Sequence, residues 1–184
     1  MYILYMQIII QPVALEEEGR NITSSLASYL SKEFHASVNI AQAIKAPEFA
    51  FDKQRNQWKS NDLLQWLLDR HNPNIKTKIL AICNIDAYSN KLNFVFGEAY
   101  FNGRVAAIYL ARLRHDFYGL KSAADESLLF ERIVKEAVHE LGHTFGLNHC
   151  KNIKCVMYFS NSLYDTDVKG RNFCERCQGY LLQR

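Results

Sequence analysis

The run His139-Glu-Leu-Gly-His143-Thr-Phe-Gly146-Leu-Asn-His149 constrains this chain more than any other stretch. His139 and His143 are four residues apart, so on a helix both imidazoles lie on one face, one turn apart, able to share a metal. Glu140 follows the first of them and can reach a water on that metal. Gly146 can end the helix in left-handed backbone, which other residues enter only at a cost. The chain can then turn back and present His149. Three protein ligands plus one water is the open arrangement of a catalytic zinc, whereas structural zinc is closed by four. The plain alternative is a surface helix with some histidines and a glycine stop, which leaves the fixed spacing unexplained.

The helix carrying this run is defined by what precedes it. Leu129, Phe130, Ile133, Val134, Ala137, Val138, Leu141 and Phe145 recur at helical spacing and make a stripe broad enough for a core helix. Ser122-Ala-Ala-Asp125 resembles a capping box with Asp in place of Glu at its start. The histidines lie beside the stripe, which puts the zinc at the edge of the core, facing a cleft.

A second cluster follows at once. Cys150 and Cys155, then Cys174 and Cys177, form two short-spaced pairs separated by a loop, the spacing of a four-thiolate structural zinc. Two disulfides or free buried thiols are the alternatives. Residues 1–10 are apolar, with no basic residue before them and no small-residue cleavage site after them. A secretory signal, which would favour disulfides, is therefore not expected, and the reading is of a cytoplasmic protein. Metal binding would supply the folding free energy that residues 151–167, poor in core side chains, cannot. Cys83 stands apart in an apolar run and reads as a buried core residue. Met157 lies two residues after Cys155.

HELGHTFGLNH with a methionine downstream resembles the metzincin metallopeptidases. The cysteine spacing around Met157 is similar to that of the archaemetzincins, as are FVFGEAY (residues 94–100) and LARLRHDFYG (residues 110–119). The resemblance covers most of the C-terminal two-thirds of the chain. It implies a catalytic zinc on His139, His143 and His149, with Glu140 as general base and acid. It implies Met157 in a tight turn beneath that zinc, and a second, structural zinc on Cys150, Cys155, Cys174 and Cys177. Some metzincins carry a tyrosine two residues after the methionine, near the metal. Phe159 stands there in this chain, so no oxyanion stabiliser is assigned. The family binds substrate extended along an edge strand, for which residues 93–100 are the candidate. Gly97 there would allow close backbone approach, or mark a bulge or strand end.

Composition is ordinary for a soluble globular protein: 184 residues, 48% hydrophobic and 22% charged. A net charge of +3 is too weak to argue for nucleic acid, and no apolar run reaches membrane-spanning length. The pattern predicts strands at residues 2–10, 37–41, 77–83, 93–100 and 105–113. It predicts helices at 15–34 (with Glu16, Glu17 and Glu18 at the positive end), 61–70 and 174–183, and a loop over most of 46–60. The expected fold is α/β (α+β): a twisted mixed sheet with packed helices in one metzincin-like domain, residues 1–184. Residues 1–121 form its sheet and helix part, 122–147 the active-site helix, and 148–184 the segment with the methionine turn and the cysteines.

The expected function is zinc-dependent hydrolysis of peptide bonds in a peptide or protein substrate, with two Zn2+ per chain. The resemblance leans towards aminopeptidase-like action on short peptides, for which Glu98 or Asp86 would hold the substrate amine. The alternative is a non-catalytic or gated zinc protein whose four-cysteine tail, with Lys151, Lys154, Lys169, Arg171 and Arg176, binds a protein or nucleic-acid partner. His35, His71 and His115 read as non-catalytic.

Overall fold

The computed structural model describes residues 6–15, 19–90, 92–120 and 125–183, with Asp125 as backbone only. Residues 2–5, Glu16–Glu18 and the Ser122–Ala124 part of the expected capping box lie outside them. Five strands form the main sheet: β1 (Gln7–Val13), β2 (Ser37–Ile40), β5 (Thr77–Cys83), β7 (Gly97–Ala99) and β8 (Val105–Tyr109), in the order β2-β1-β5-β8-β7. All neighbours are parallel except β7, which runs antiparallel to β8 and forms the edge. A smaller sheet joins β3 (Phe51–Asp52), β4 (Gln57–Lys59) and β6 (Ala87–Tyr88).

The central strands are buried on both faces, which is why β5 reads as an unbroken apolar run rather than an alternating one. Alternation survives as a division between two cores. Ile8 and Ile10, Leu80 and Ile82, Ala106 and Ile108 pack on one face, against Leu26 and Leu30 of α1 (Gly19–Glu33) and the apolar stripe of α3 (Asp125–Thr144). Ile79, Ala81 and Cys83, Val105, Ala107 and Tyr109 pack on the other, against Leu63, Leu64 and Leu67 of α2 (Ser60–His71). Cys83 is therefore a core residue, as expected. Helices on both faces of a mostly parallel sheet make a mixed α/β architecture. No helix among the described residues is long and apolar enough to cross a membrane.

Three elements differ from expectation. Residues 93–100 do not form one long strand; only Gly97–Ala99 joins the ladder. Residues 93–95 are drawn to the smaller sheet, where Val95 N–H donates to Ala87 C=O and Arg55 and Gln57 donate to Asn93 C=O, while Phe96 C=O already accepts from Tyr109 N–H of β8. Strand β8 ends at Tyr109, because buried Leu110 and Leu113 close a turn of 3-10 helix that aims Arg112 at Asp86. Residues 46–60 are not mostly loop. They contain β3 and β4, held by the Phe51 and Trp58 rings at 4.4 Å and by the distant β6, a partner that local pattern does not reveal.

Candidate active site and cysteine cluster

Helix α3 delivers His139, Glu140 and His143 from its last turns. It stops where the chain needs it to stop. Gly146 has φ +80°, and Leu147 N–H donates back to Gly142 C=O at 3.0 Å. Lys78 reinforces the end by donating to the carbonyls of Thr144 and Gly103 at 2.9 and 2.6 Å. The reversal brings His149 to the other two, with its ring centroid 5.3 Å from His139 and 4.9 Å from His143.

The tautomers are settled by neighbours. His139 Nδ1–H donates to Val156 C=O at 2.8 Å and His143 Nδ1–H to Leu147 C=O at 2.7 Å, since a carbonyl only accepts. Both Nε2 atoms are therefore bare acceptors, and they face each other at 3.0 Å. Burial lowers the pKa of all three imidazoles, His143 to about 4, which keeps them neutral. Two lone pairs that close repel unless a cation lies between them, and one ligand atom from each of the three histidines lies within 4.8 Å of the others. The donor set fits a zinc ion with an open position.

Glu140 is buried beside this triad, and burial holds its carboxyl well above the usual range, with Glu136 adding to the rise. It faces the edge strand. A cleft of about 560 Å³ runs above the triad, between residues 92–99 on one side and Phe159, Ser160 and Asn161 on the other. Phe159 lies against His149 at 4.8 Å. Met157 is fully buried beneath α3, where a methyl at Gly142 would stand 2.5 Å from its sulfur. Gly142 thus leaves room for the methionine sulfur against the helix, a requirement the motif contains but does not announce.

The four cysteines come together as their spacing predicts. Their sulfurs lie within 4.8 Å of one another, with Cys150 and Cys174 Sγ 3.8 Å apart, and none is in a disulfide. Cys174 N–H, Asn152 N–H and the Arg176 guanidinium donate to the sulfurs of Cys155, Cys150 and Cys150. A hydrogen bond from the Cys177 backbone holds the Cys174 thiol down at about 7, while burial pushes the Cys155 and Cys177 thiols up. The set fits a tetrahedral zinc.

Other sequence candidates fall outside the site. Asp86 is bound twice by Arg112, at 2.7 and 2.9 Å, and once by Gln57. Glu98 borders the cleft, but its register places it opposite Ala107, on the α2 face, with its carboxyl against Ser60. His115 meets the Arg132 guanidinium at 2.8 Å, and His71 meets Gln11 at 3.1 Å. His35, with φ +48°, follows α1 as expected.

Two features escaped the sequence reading. Helix α4 (Leu163–Val168) begins at Ser162, whose hydroxyl accepts from Asp165 N–H; the Ser-Leu-Tyr-Asp spacing was the available signal. Lys169, just past α4, is fully buried and pairs with Glu136 at 2.9 Å, one helical turn before Glu140.

The profile of peptidase family M54 matches residues 27–184 of this geometry-bearing chain. The chain belongs to that family. An archaemetzincin of Methanocaldococcus jannaschii is 38% identical over 99% of this chain and 96% of its own length. That of Pyrococcus abyssi is 43% identical over 85% and 82%. The crystal structure of the archaemetzincin of Archaeoglobus fulgidus, complexed with malonate, superposes with a TM-score of 0.80 at 36% identity, covering 95% of this chain and 99% of that one. That of Methanopyrus kandleri superposes with a TM-score of 0.82 at 35% identity, covering 100% and 97%. As a member of family M54 the chain is a zinc metallopeptidase, a hydrolase, and its fold is theirs.

Proposed function

We propose that the chain hydrolyses peptide bonds at the His139–His143–His149 centre, with Glu140 as general base and then general acid. The observation that carries this is the pair of bare Nε2 atoms facing each other at 3.0 Å beside a buried carboxylate in a cleft. A zinc ion held there supplies Lewis-acid activation of water and of the scissile carbonyl. Glu140 takes a proton as the water oxygen bonds to the carbonyl carbon, and passes it to the amine nitrogen as the C–N bond breaks. The edge strand β7 accepts the substrate backbone by strand addition. Met157 packs beneath the histidines and holds them in place. The four cysteines bind a second, structural zinc that secures the C-terminal segment.

Aminopeptidase action needs a carboxylate free to hold the substrate amine. Asp86 is engaged by Arg112, Glu98 lies against Ser60 on the far face, and Glu136 is paired with Lys169. Internal cleavage of an extended chain therefore fits the cleft better. The rival reading of a nucleic-acid-binding tail loses three of its five cations: Lys169 to Glu136, Arg171 to Glu131 and Arg176 to Cys150.

The test is digestion of a diverse peptide library by zinc-loaded wild type and Glu140→Gln, with products read by mass spectrometry and metal counted in both. Cuts by wild type alone, with equal zinc in the variant, are expected. Equal cutting by Glu140→Gln would remove it as the base, and the positions of the cuts separate internal from terminal cleavage.

A further inference from the structure

We propose that Phe101 selects among substrates, its ring receiving an apolar side chain roughly two to three residues before the scissile bond; this rests on the metallopeptidase reading above. Among the described residues, three large apolar side chains are exposed and border the cleft: Leu92, Phe101 and Phe159. Phe101 is the most exposed of them, at 56%. Phe159 already lies against His149, whereas Phe101 makes no ring contact among the described residues. It borders the cleft together with His143, Asn148 and His149, beyond the end of the edge strand. An apolar ring held open on the wall of a peptidase cleft gains most when a substrate side chain covers it.

Alternation along β7 sets the face. Glu98 lies against Ser60, and the Tyr100 hydroxyl donates to Gln65, both residues of α2. Gly97 and Ala99 take the opposite face, where Gly97 touches Glu140 and Ala99 packs with the α3 core. Phe101 follows at the next such position, on the side of the histidines. The turn that carries it is clamped. Gly103 N–H donates to Tyr100 C=O at 2.8 Å, with Asn102 left-handed at φ +51°, and a methyl on Gly103 would stand 2.6 Å from that same carbonyl oxygen. Asn102 N–H donates to His143 C=O at 2.9 Å. Lys78 joins the Gly103 and Thr144 carbonyls. The ring is thus carried on backbone tied to the end of the active-site helix and ordered before substrate arrives.

The side of the cut follows from strand pairing. Glu140 stands against Gly97, which puts the scissile bond near that residue. A chain added antiparallel to β7 forms the more stable ladder. Its residues opposite Ala99 and Phe101 then precede the scissile bond, and at about 3.4 Å per residue the ring is in reach of the second or third of them. Side chains of an extended peptide alternate in direction, so one of these faces the ring. Such a contact serves only substrates that continue on the amino side of the cut, in agreement with internal cleavage.

The experiment compares zinc-loaded wild type, Phe101→Ala and Phe101→Leu on quenched fluorescent peptides that carry Phe, Leu, Gly or Asp at each position on either side of the cut. In a second arm, Glu140→Gln with and without Phe101→Ala is titrated with a short alanine-based peptide holding one central Phe, and with its Gly counterpart. Wild type is expected to prefer Phe or Leu over Gly at the second or third residue before the cut. Phe101→Ala is expected to lose roughly 10-fold of that preference in kcat/KM, and Phe101→Leu to keep it within about threefold. Zinc content and melting temperature are expected to match wild type, because the ring is exposed. An unchanged preference in Phe101→Ala, or a change confined to residues after the cut, overturns the assignment and leaves the metallopeptidase reading standing. If wild type cuts no peptide, that reading falls and the binding arm still decides Phe101. A Phe-over-Gly affinity difference that Phe101→Ala abolishes supports the ring as the apolar contact; a difference that persists, or none to begin with, removes it.

Discussion

Gly97 and Glu140 touch so closely that neither leaves room for a larger partner. A methyl on Gly97 would stand 2.5 Å from Glu140 Cγ and 2.7 Å from its Oε1. The edge strand thus holds the carboxylate against the helix that carries it. A Gly97→Ala substitution must turn Glu140 out of place. The expected result is a loss of roughly 10–100-fold in kcat with zinc content unchanged, since proton transfer depends on geometry within about 1 Å. Steady-state kinetics with metal analysis checks this; a wild-type kcat would show that the edge strand does not position the base.

The Glu136–Lys169 pair ties the segment after α4 to the active-site helix. Both side chains are buried, and Thr166 donates to the same Glu136 oxygen at 3.2 Å. Lys135 donates to the carbonyls of Thr166 and Asp167, and Arg132 binds the Asp167 carboxylate twice at 2.7 Å. Removing one partner leaves a buried charge uncompensated. Lys169→Met is expected to cost about 3–5 kcal/mol, and the double variant with Glu136→Gln distinctly less. Urea denaturation of the four-member cycle measures the difference, and additive losses would mean that the pair contributes nothing as a pair.

Glu98 gives the stability a pH dependence of definite sign. Burial raises its carboxyl above the usual carboxylate range, with Ser60 opposing the rise, and one of its oxygens is buried without a partner among the described residues. The folded state therefore holds this proton more tightly than the unfolded chain. Below the ordinary carboxylate range both states are protonated and there is no penalty. As pH rises through that range and past the raised folded value, ionisation in the fold costs stability. Glu98→Gln is expected to raise the melting temperature at pH 7 to 8 and to leave it nearly unchanged at pH 4. A gain of equal size at both would place the effect in packing rather than charge.

Loss of one cysteine should act on one metal. Cys150→Ser is expected to lower bound zinc by one ion per chain and to expose residues 150–177 to proteolysis, because the four clustered sulfurs help to anchor that segment. Loss of both ions on this substitution would show that the centres are not independent, which their adjacency at His149 and Cys150 makes a real measurement rather than a formality.

The parts of the fold legible beforehand are those written in short-range spacing. The 3.6-residue stripe of α3, the i, i+4 histidines, the left-handed Gly146 and the two cysteine pairs each depend on residues a few positions apart. Residues 77–83 were legible as a strand because they are buried on both faces. What failed depends on distant partners. Residues 93–95 carry a strand-like composition, yet they bond to Ala87, Arg55 and Gln57, and bonding to β8 begins only at Phe96. Glu98 looked available to the site because alternation alone does not say which face is which; its register against Ala107 decides that.

Sequence by itself determined the chemistry of this protein: which side chains can hold a metal, which carboxylate follows the first of them, and which family they resemble. Those are properties of identity and local spacing, and helix geometry converts spacing into shared faces with little choice. Tertiary structure alone decided what surrounds that chemistry. It set Gly97 against Glu140, buried Lys169 beneath the helix and turned Glu98 to the α2 face. These relations join residues far apart in the chain, and they are fixed by the packing of the whole sheet and its helices rather than by any local pattern.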